Sequence, residues 1–266
     1  LIINITKALA CAGRIQSIFD VKPGMQDGTA GVKKSDDEVP VVEFKNVALK
    51  YSGAGDTSIA GVSFKAYRGQ TIGIIGGTGS GKSSLVGLIP RFYDATEGEV
   101  LIDGVNVKDI KLEELRDKVG IVMQKAVLFK GSIRNNMQVA KQDATDGEID
   151  EALAIAQAKE FVDKKDGRLN YMIEQGGKNL SGGQRQRLTI ARAVVKKPDV
   201  LILDDSASAL DFATDAALRK SIRTMPNNPT VFIVSQRSAS LMHADKIIVL
   251  DDGNAVSYTH LDAADD

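Results

Sequence analysis

The stretch Gly76-Gly77-Thr78-Gly79-Ser80-Gly81-Lys82-Ser83 matches the phosphate-binding pattern G-x-x-x-x-G-K-[S/T] at every fixed position. The preceding residues 71–75 are apolar and β-branched, which is typical of a short buried strand. Residues 84–89 predict a helix that Pro90 would stop. A strand, a glycine loop and a helix N-terminus in this order are the context that the pattern requires. A chance glycine-rich turn, the alternative interpretation, requires neither neighbour.

The chemistry expected of this loop follows from its residue types. Glycines allow backbone angles and close approaches that a Cβ would forbid, so successive N–H groups can point at a phosphate, helped by the helix dipole. We expect Lys82 to reach the β- and γ-phosphates and the Ser83 hydroxyl to ligate Mg²⁺, with Ser84 extending the binding segment into the helix. The loop therefore predicts a site for a nucleoside triphosphate.

Composition narrows the possible classes of protein. The 266 residues are 43% hydrophobic and 26% charged, which is ordinary for a folded domain, and the net charge of −1 gives no electrostatic support to nucleic-acid binding. Cys11 is the single cysteine, so an internal disulfide is excluded. The chain lacks an initiating Met and starts in a helical pattern, which indicates a piece of a longer protein.

The order of patterns along the chain predicts its organisation. Residues 1–20 have helical spacing, and residues 21–40 are rich in Gly, Lys and Asp with two prolines, as in a linker. We expect the main domain over 41–253 to be α/β, a P-loop NTPase core with an antiparallel β subdomain near 41–70 and an α-helical subdomain near 125–185. Residues 254–266 have no recognisable pattern and suggest truncation or an artefact.

Two further motifs accompany the phosphate loop. Val200-Leu201-Ile202-Leu203-Asp204 is an apolar strand that ends in a carboxylate, the Walker B arrangement that holds Mg²⁺ beside the loop. Leu180-Ser181-Gly182-Gly183-Gln184 opens a helix and forms a second candidate anion-binding turn. One γ-phosphate does not need two such turns. The second one is therefore expected to serve a nucleotide held by another subunit.

With these motifs in order, residues 41–253 resemble the nucleotide-binding domain of an ATP-binding cassette (ABC) transporter. The likeness is to exporters whose membrane domain is fused N-terminally, and residues 1–20 resemble the end of its last helix. The resemblance implies that Tyr51 stacks on adenine and that Gln124 contacts Mg²⁺ or water. It implies that residues 208–211 cross a dimer interface. It also implies ATP and Mg²⁺ as ligands, each nucleotide lying between one chain's loop and the other chain's Ser181, Gly182, Gly183 and Gln184.

The sequence departs from the family's pattern at two positions. Asp205 stands where active members have the Glu that activates water, and Gln236 stands where they have His. Asp is one methylene shorter, and Gln cannot exchange a proton as imidazole can. With Lys82, Ser83 and Asp204 present, we expect tight ATP binding and slow hydrolysis at this chain's own site. This asymmetry resembles a heterodimeric exporter at the cytoplasmic face of the cell membrane, with no nucleic-acid partner.

Simpler interpretations stand beside these. Tyr51 could be a surface aromatic, Gln124 a strand cap, and Gln236 an unimportant polar residue. Asp204 and Asp205 could be a solvated acidic turn, and Asp211 a helix N-cap. The alternative functions are a soluble ABC ATPase of DNA maintenance or translation, and a regulatory module that binds ATP without turnover.

Overall fold

The apolar runs of the chain form one large sheet in this computed structural model, which describes residues 2–20, 24–36, 38–53, 55–206, 209–236 and 238–260. The strands are β1 (Val42–Leu49), β2 (Ile59–Ala66), β3 (Thr71–Gly76), β4 (Glu97–Ile102), β5 (Val105–Asn106), β6 (Val119–Val122), β7 (Gly131–Ser132), β8 (Met172–Ile173), β9 (Val200–Asp204), β10 (Thr230–Val234), β11 (Lys246–Asp251) and β12 (Asn254–His260). The helices are α1 (Ile2–Phe19), α2 (Lys82–Gly87), α3 (Leu112–Lys118), α4 (Ile133–Gln138), α5 (Asp146–Ile155), α6 (Lys159–Asp163), α7 (Gly182–Val194) and α8 (Phe212–Arg223).

The sheet joins a parallel part to an antiparallel part. Its order within the described residues is β5-β4-β1-β2-β12-β11-β3-β10-β9-β6. Strands β11, β3, β10, β9 and β6 are parallel to one another, whereas β1 pairs antiparallel with β2 and β4, and β12 pairs antiparallel with β11. The parallel strands are nearly uniformly apolar because both faces of this part of the sheet are covered. The predicted α/β class and its antiparallel subdomain are confirmed.

Two hydrophobic clusters lie on opposite faces of the sheet. One contains the inward side chains of α5 and α7, and the other contains those of α2 and the antiparallel strands. Phe64 stacks on Phe44 at 4.6 Å between ring centroids and lies 6.2 Å from Phe232 on β10. These rings connect the antiparallel strands to the core on the α2 side of the sheet.

The helical region near 125–185 differs from its prediction in one place. The pattern over 148–161 predicts one helix, whereas the structure has α5 and α6 with a break between them. Gln157 has a left-handed φ of 57°, and the amide of Ala158 donates to the carbonyl of Leu153 at 2.7 Å. The side chain of Gln157 donates to Ser221 Oγ at 2.9 Å. A helix C-cap supported by a tertiary contact therefore overrides the helical spacing.

The two segments outside the predicted domain also contact it. Residues 24–36, within the predicted linker, hydrogen-bond to the turn after β4, to α3 and to the turn before α3. Residues 254–260, for which the sequence predicts no element, form β12 and pair antiparallel with β11. The pairing is possible because the edge of a strand presents unpaired backbone N–H and C=O groups. These groups can hydrogen-bond to a second strand whatever side chains that strand carries.

The N-terminal helix α1 has an apolar surface that faces solvent. Ile3, Leu9 and Phe19 are 70%, 68% and 78% exposed. Throughout the part of the chain that the structure describes, none of the helices combines the length and apolar character needed to cross a bilayer.

Candidate nucleotide-binding site

The predicted residues of the phosphate loop and of the catalytic and metal positions meet at the carboxyl edge of the parallel strands. Strand β3 ends at Gly76, β9 ends at Asp204, and β10 ends at Val234, which pairs with Asp204. Gln124 follows β6 and Gln236 follows β10. One cavity of about 240 Å³ is lined by residues from these ends, namely Ser58, Thr78, Gly79, Gly81, Lys82, Ser83, Ser84, Gln124, Asp204, Asp205, Val234, Ser235 and Gln236. Strand ends in an open α/β sheet are where ligands bind.

The glycines of the phosphate loop are needed for close packing. A Cβ on Gly76 would lie 2.2 Å from the carbonyl oxygen of Leu250, and one on Gly81 would lie 2.5 Å from that of Ser58. Gly81 also has a φ of 94°, which L side chains rarely adopt. The loop is therefore seated against β11 and the start of β2 at a distance that only glycine permits.

The loop surrounds the ammonium group of Lys82. Its Nζ donates to the carbonyls of Gly76 at 2.8 Å and Gly77 at 2.5 Å. Burial lowers the pKa of Lys82, and attraction to Asp204 and Asp205 only partly opposes this. A phosphate oxygen is a stronger partner for this ammonium than a carbonyl, since an anion compensates the lost hydration of the cation.

Asp204 and Ser83 form the candidate Mg²⁺ position. Asp204 is 4% exposed, and burial raises the pKa of its carboxyl group, with Asp205 adding to the increase. A hydrogen bond with Ser83 and the charge of Lys82 act in the opposite direction. A desolvated carboxylate beside a hydroxyl is the hard oxygen donor set that Mg²⁺ accepts, and a divalent charge would stabilise the ionised form. These residues therefore fit the ion.

The groups expected to act on water face the same cavity. Nε2 of Gln124 lies 3.4 Å from Oδ2 of Asp205, and Gln236 is exposed on the cavity wall. Asp205 has a left-handed φ of 43°, and its amide donates to the carbonyl of Val234 at 3.0 Å. The structure brings these three predicted residues together, and their roles in hydrolysis stay predictions.

Tyr51 lies beside the loop and contacts a residue of it. Its hydroxyl donates to Ser84 Oγ at 2.9 Å, and burial raises the pKa of the phenol. Its ring meets that of Tyr93 edge-on, with centroids 4.9 Å apart and planes at 87°. This places an aromatic ring beside the first turn of α2, outside the lining of the cavity. Stacking on adenine stays a prediction.

The second anion-binding turn lies apart from this cavity. Ser181, Gly182, Gly183 and Gln184 are absent from its lining, and Ser181 and Gly182 are exposed. Ser181 caps α7: its hydroxyl accepts from the amide of Gln184, whose side chain accepts from the amide of Ser181, both at 3.2 Å. The predicted helix start is thus confirmed, and the turn presents its N-terminus to solvent.

The segment expected at a dimer interface is described only in part. Ser208 lies outside the described residues, whereas Asp211 caps α8 by accepting from the amide of Thr214 at 2.9 Å. The capping interpretation of Asp211 is confirmed, and its interface role stays a prediction.

Three polar or aromatic residues near the site were not predicted from the sequence. Ser58 lines the cavity and supports Gly81, Ser235 lines it next to Gln236, and Tyr93 packs on Tyr51. Ser235 follows a strand at the same edge as Asp204, so its position after β10 is a usable signal. The sequence around Ser58 and Tyr93 has no comparable feature, because only the tertiary fold brings these two residues close to the site.

Known proteins share this fold and these motifs. The ABC transporter family model matches residues 59–208. The ATP-dependent lipid A-core flippase of Vibrio vulnificus (strain CMCP6) is 38% identical over 251 residues, which cover 94% of this chain and 42% of that protein. The beta-(1→2)glucan export ATP-binding/permease protein NdvA of Rhodopseudomonas palustris (strain BisB18) is 38% identical over 251 residues, which cover 92% of this chain and 41% of that protein.

A solved structure of a bacterial Atm1-family ABC exporter with ATP bound gives a TM-score of 0.88 at 30% identity, covering 96% of this chain and 45% of that chain. The chain therefore spans less than half the length of the relatives it matches. Because the family model covers more than half of the chain, and the phosphate loop and Asp204 meet at one cavity, the chain belongs to the ABC transporter family and has the fold of its P-loop ATPase domain.

Proposed function

We propose that this chain is the ATP-binding domain of an ABC exporter and that MgATP binds at Gly76–Ser84. The observation that carries the proposal is the convergence of Lys82, Ser83 and Asp204 on one cavity at the carboxyl edge of the sheet. Lys82 and the loop amides would hold the phosphates, and Ser83 and Asp204 would hold Mg²⁺, which supplies charge neutralisation at the transferred phosphoryl group. Relatives named as a lipid A-core flippase and as a glucan export ATP-binding/permease protein support the exporter assignment over a soluble ABC ATPase.

The nucleotide site is completed by a second chain. The cavity, at about 240 Å³, is smaller than the ~300–1,000 Å³ of pockets that enclose a small-molecule ligand. The capped N-terminus of α7 is exposed and does not face this cavity. Two such chains arranged head to tail would each place Ser181–Gln184 against the other's nucleotide. A fused membrane domain would then be driven by closure and reopening of the pair at the cytoplasmic face of the membrane.

Hydrolysis at this chain's own site is slow in this proposal. Asp205 carries its carboxylate one methylene closer to the backbone than Glu would, and a displacement of about 1 Å can cost ~100-fold in rate. Gln236 can donate a hydrogen bond to the γ-phosphate but cannot carry a proton. The intact Ser181–Gln184 turn would equip a faster site on a different partner, which makes the transporter a heterodimer.

Nucleotide binding is tested by titrating the chain with a fluorescent ATP analogue in Mg²⁺. Lys82→Ala should weaken binding by roughly tenfold or more, because it removes a charge-assisted contact to the phosphates. Lys45→Ala is the matched control, since Lys45 is an exposed lysine on β1 outside the cavity. Equal binding by both variants would overturn the phosphate-loop assignment.

The half-site proposal is tested in the assembled pair. Asp205→Ala should barely change its ATPase rate, whereas Ser181→Arg should nearly abolish it by blocking the partner's nucleotide. The reverse result would show that the chain's own site does the chemistry. Single-turnover hydrolysis with the partner's catalytic residue removed then distinguishes slow hydrolysis from a purely regulatory site.

A further inference from the structure

Residues 24–36, here named the strap, are docked on the domain through backbone contacts. The amide of Ala30 donates to the carbonyl of Asp109 at 2.8 Å, and the amide of Lys111 donates to the carbonyl of Ala30 at 3.0 Å. Ala30 and Ile110 thereby form a parallel bridge. Paired backbone groups of this kind fix a segment in one register, unlike a free linker.

The strap approaches the domain as closely as a glycine allows. A Cβ on Gly28 would lie 2.2 Å from the carbonyl oxygen of Asp109 and 2.4 Å from that of Ile110. A Cβ on Gly24, in the same segment, would meet nothing within 4 Å. Docking therefore depends on the absence of a side chain at Gly28 and is indifferent to one at Gly24.

Side chains attach the strap at two further points. Oδ1 of Asp27 accepts from the amide of Leu112 at 2.7 Å, which satisfies an unpaired donor at the start of α3. Ser35 Oγ donates to Oδ1 of Asp103 at 2.8 Å. Asp103 is buried and also accepts from Lys118 at 2.8 Å, so this end of the strap joins a buried charge cluster.

The turns that follow the phosphate-loop helix α2 end at Arg91, whose side chain also reaches the strap. The amide of Phe92 donates to the carbonyl of Gly87 at 2.9 Å, and that of Arg91 donates to the carbonyl of Leu88 at 3.1 Å. These two bonds form a Schellman-type motif that closes the turns after α2, and its left-handed residue is Arg91 with a φ of 52°. Glycine is the usual residue at that position, so the arginine side chain must contribute something that glycine lacks.

That contribution is a set of bonds on three sides of a buried guanidinium. Arg91 is 3% exposed, and its Nη2 donates to the carbonyl of Gln26 in the strap at 2.9 Å. Its Nη1 donates to the carbonyl of Lys108 at 3.1 Å, and its Nε pairs with Asp94 at 2.7 Å. One residue thus connects the end of α2, the turn before α3 and the strap.

We propose that Arg91 is a positioning residue that links strap docking to nucleotide affinity, so that the docked strap strengthens MgATP binding at the loop that begins α2. The inference rests on the proposed function of that loop. By linkage, bound MgATP would in turn hold the strap in its docked position.

The test compares Gly28→Ala with Gly24→Ala in the full chain. Hydrogen exchange at the amides of Ala30 and Lys111 reports docking, and titration with a fluorescent ATP analogue and Mg²⁺ reports affinity. Gly28→Ala should accelerate exchange at both amides and weaken binding by about fivefold. Gly24→Ala should leave both measurements unchanged.

A second variant distinguishes the proposed coupling between strap docking and MgATP affinity from general damage to the fold. Arg91→Gly keeps the left-handed cap of α2 and removes the guanidinium, so the helix end stays intact. It should weaken MgATP binding to the same extent as Gly28→Ala, and the double variant should be no weaker than either one. An additive loss in the double variant would overturn the role of Arg91.

Two other results would also overturn the proposal. If Gly28→Ala undocks the strap and leaves the affinity unchanged, no link exists between them. If exchange at Ala30 is fast in the unaltered chain, the strap is not docked. Failure of the unaltered chain to bind MgATP would refute the proposed function instead, while the exchange data would still report docking.

Discussion

Nε2 of Gln124 lies 3.4 Å from Oδ2 of Asp205, so the ends of β6 and β9 present a linked pair of polar groups to one cavity. The two residues are 81 positions apart in the chain. Gln124 follows a strand that pairs with the strand preceding Asp205, and this parallel register brings them together. A change in the length of the Asp205 side chain will therefore move a carboxylate that Gln124 helps to orient.

Lengthening this side chain should increase hydrolysis at the chain's own site. Asp205→Glu is expected to raise the single-turnover rate by up to about 100-fold, because it advances the carboxylate toward the γ-phosphate. The variant should lose about 1 kcal/mol of stability, since Glu tolerates the left-handed φ of 43° less well than Asp. Asp205→Asn is the control and should not accelerate hydrolysis. A Glu variant no faster than the unaltered chain would show that Asp205 does not limit the reaction.

Removing the buried charge at the Mg²⁺ position should raise the stability of the nucleotide-free chain and weaken its Mg²⁺-dependent binding of ATP. Burial raises the pKa of Asp204 above its unfolded value, so the folded state binds the proton more tightly than the unfolded state. Its contribution to the free energy of unfolding therefore falls as pH rises from ~4 through the raised pKa. Without nucleotide, Asp204→Asn should be more stable than the unaltered chain at pH 7, with a smaller difference near pH 4.

Thermal unfolding at both pH values, with and without MgATP, checks this expectation. The variant should lose the Mg²⁺-dependent part of the stabilisation by ATP, because its amide cannot neutralise a divalent ion. A variant that is less stable than the unaltered chain at pH 7 without ligand would contradict the assigned sign.

Two adjacent glycines in the phosphate loop should respond differently to the same substitution. Gly76→Ala places a Cβ 2.2 Å from the carbonyl oxygen of Leu250, so the loop or β11 must shift. We expect a loss of about 2 kcal/mol or more in the free energy of unfolding, measured with urea. Gly77→Ala, whose Cβ meets nothing within 4 Å, should change it by less than about 1 kcal/mol. Similar losses for both would refute the packing argument.

Substitutions at Ser181 should distinguish helix capping from contact with a partner's phosphate. Ser181→Ala removes the oxygen that accepts from the amide of Gln184, and should cost about 1 kcal/mol of stability. Ser181→Asp keeps a capping acceptor and should be nearly neutral for stability. Its negative charge should nevertheless reduce the ATPase rate of the assembled pair sharply, by repulsion of the γ-phosphate. A fully active Asp variant would exclude a phosphate contact at Ser181.

Local patterns predicted most of the elements that form the site. The apolar runs ending at Gly76 and Asp204 are strands, and the Ser181 turn begins a helix, because these features depend on side chains close together in sequence. The break at Gln157 was not predicted, since its left-handed cap is held by Ser221 from another helix. Tyr93 escaped prediction for the same reason, because it lies 42 positions after Tyr51 in the chain and contacts it only through the tertiary fold.

The sequence by itself determined the phosphate loop, the α/β class and the two residues that depart from the family's pattern. Each of these features depends on particular residue types at short, fixed spacings in the sequence. Only the tertiary structure decided that residues 24–36 are docked rather than free and that residues 254–260 join the sheet. Backbone hydrogen bonds contribute to both attachments, and a backbone donor or acceptor is the same for nearly every residue type. The pattern of side chains along the sequence therefore does not predict such contacts, and they become visible only when the fold brings the two segments together.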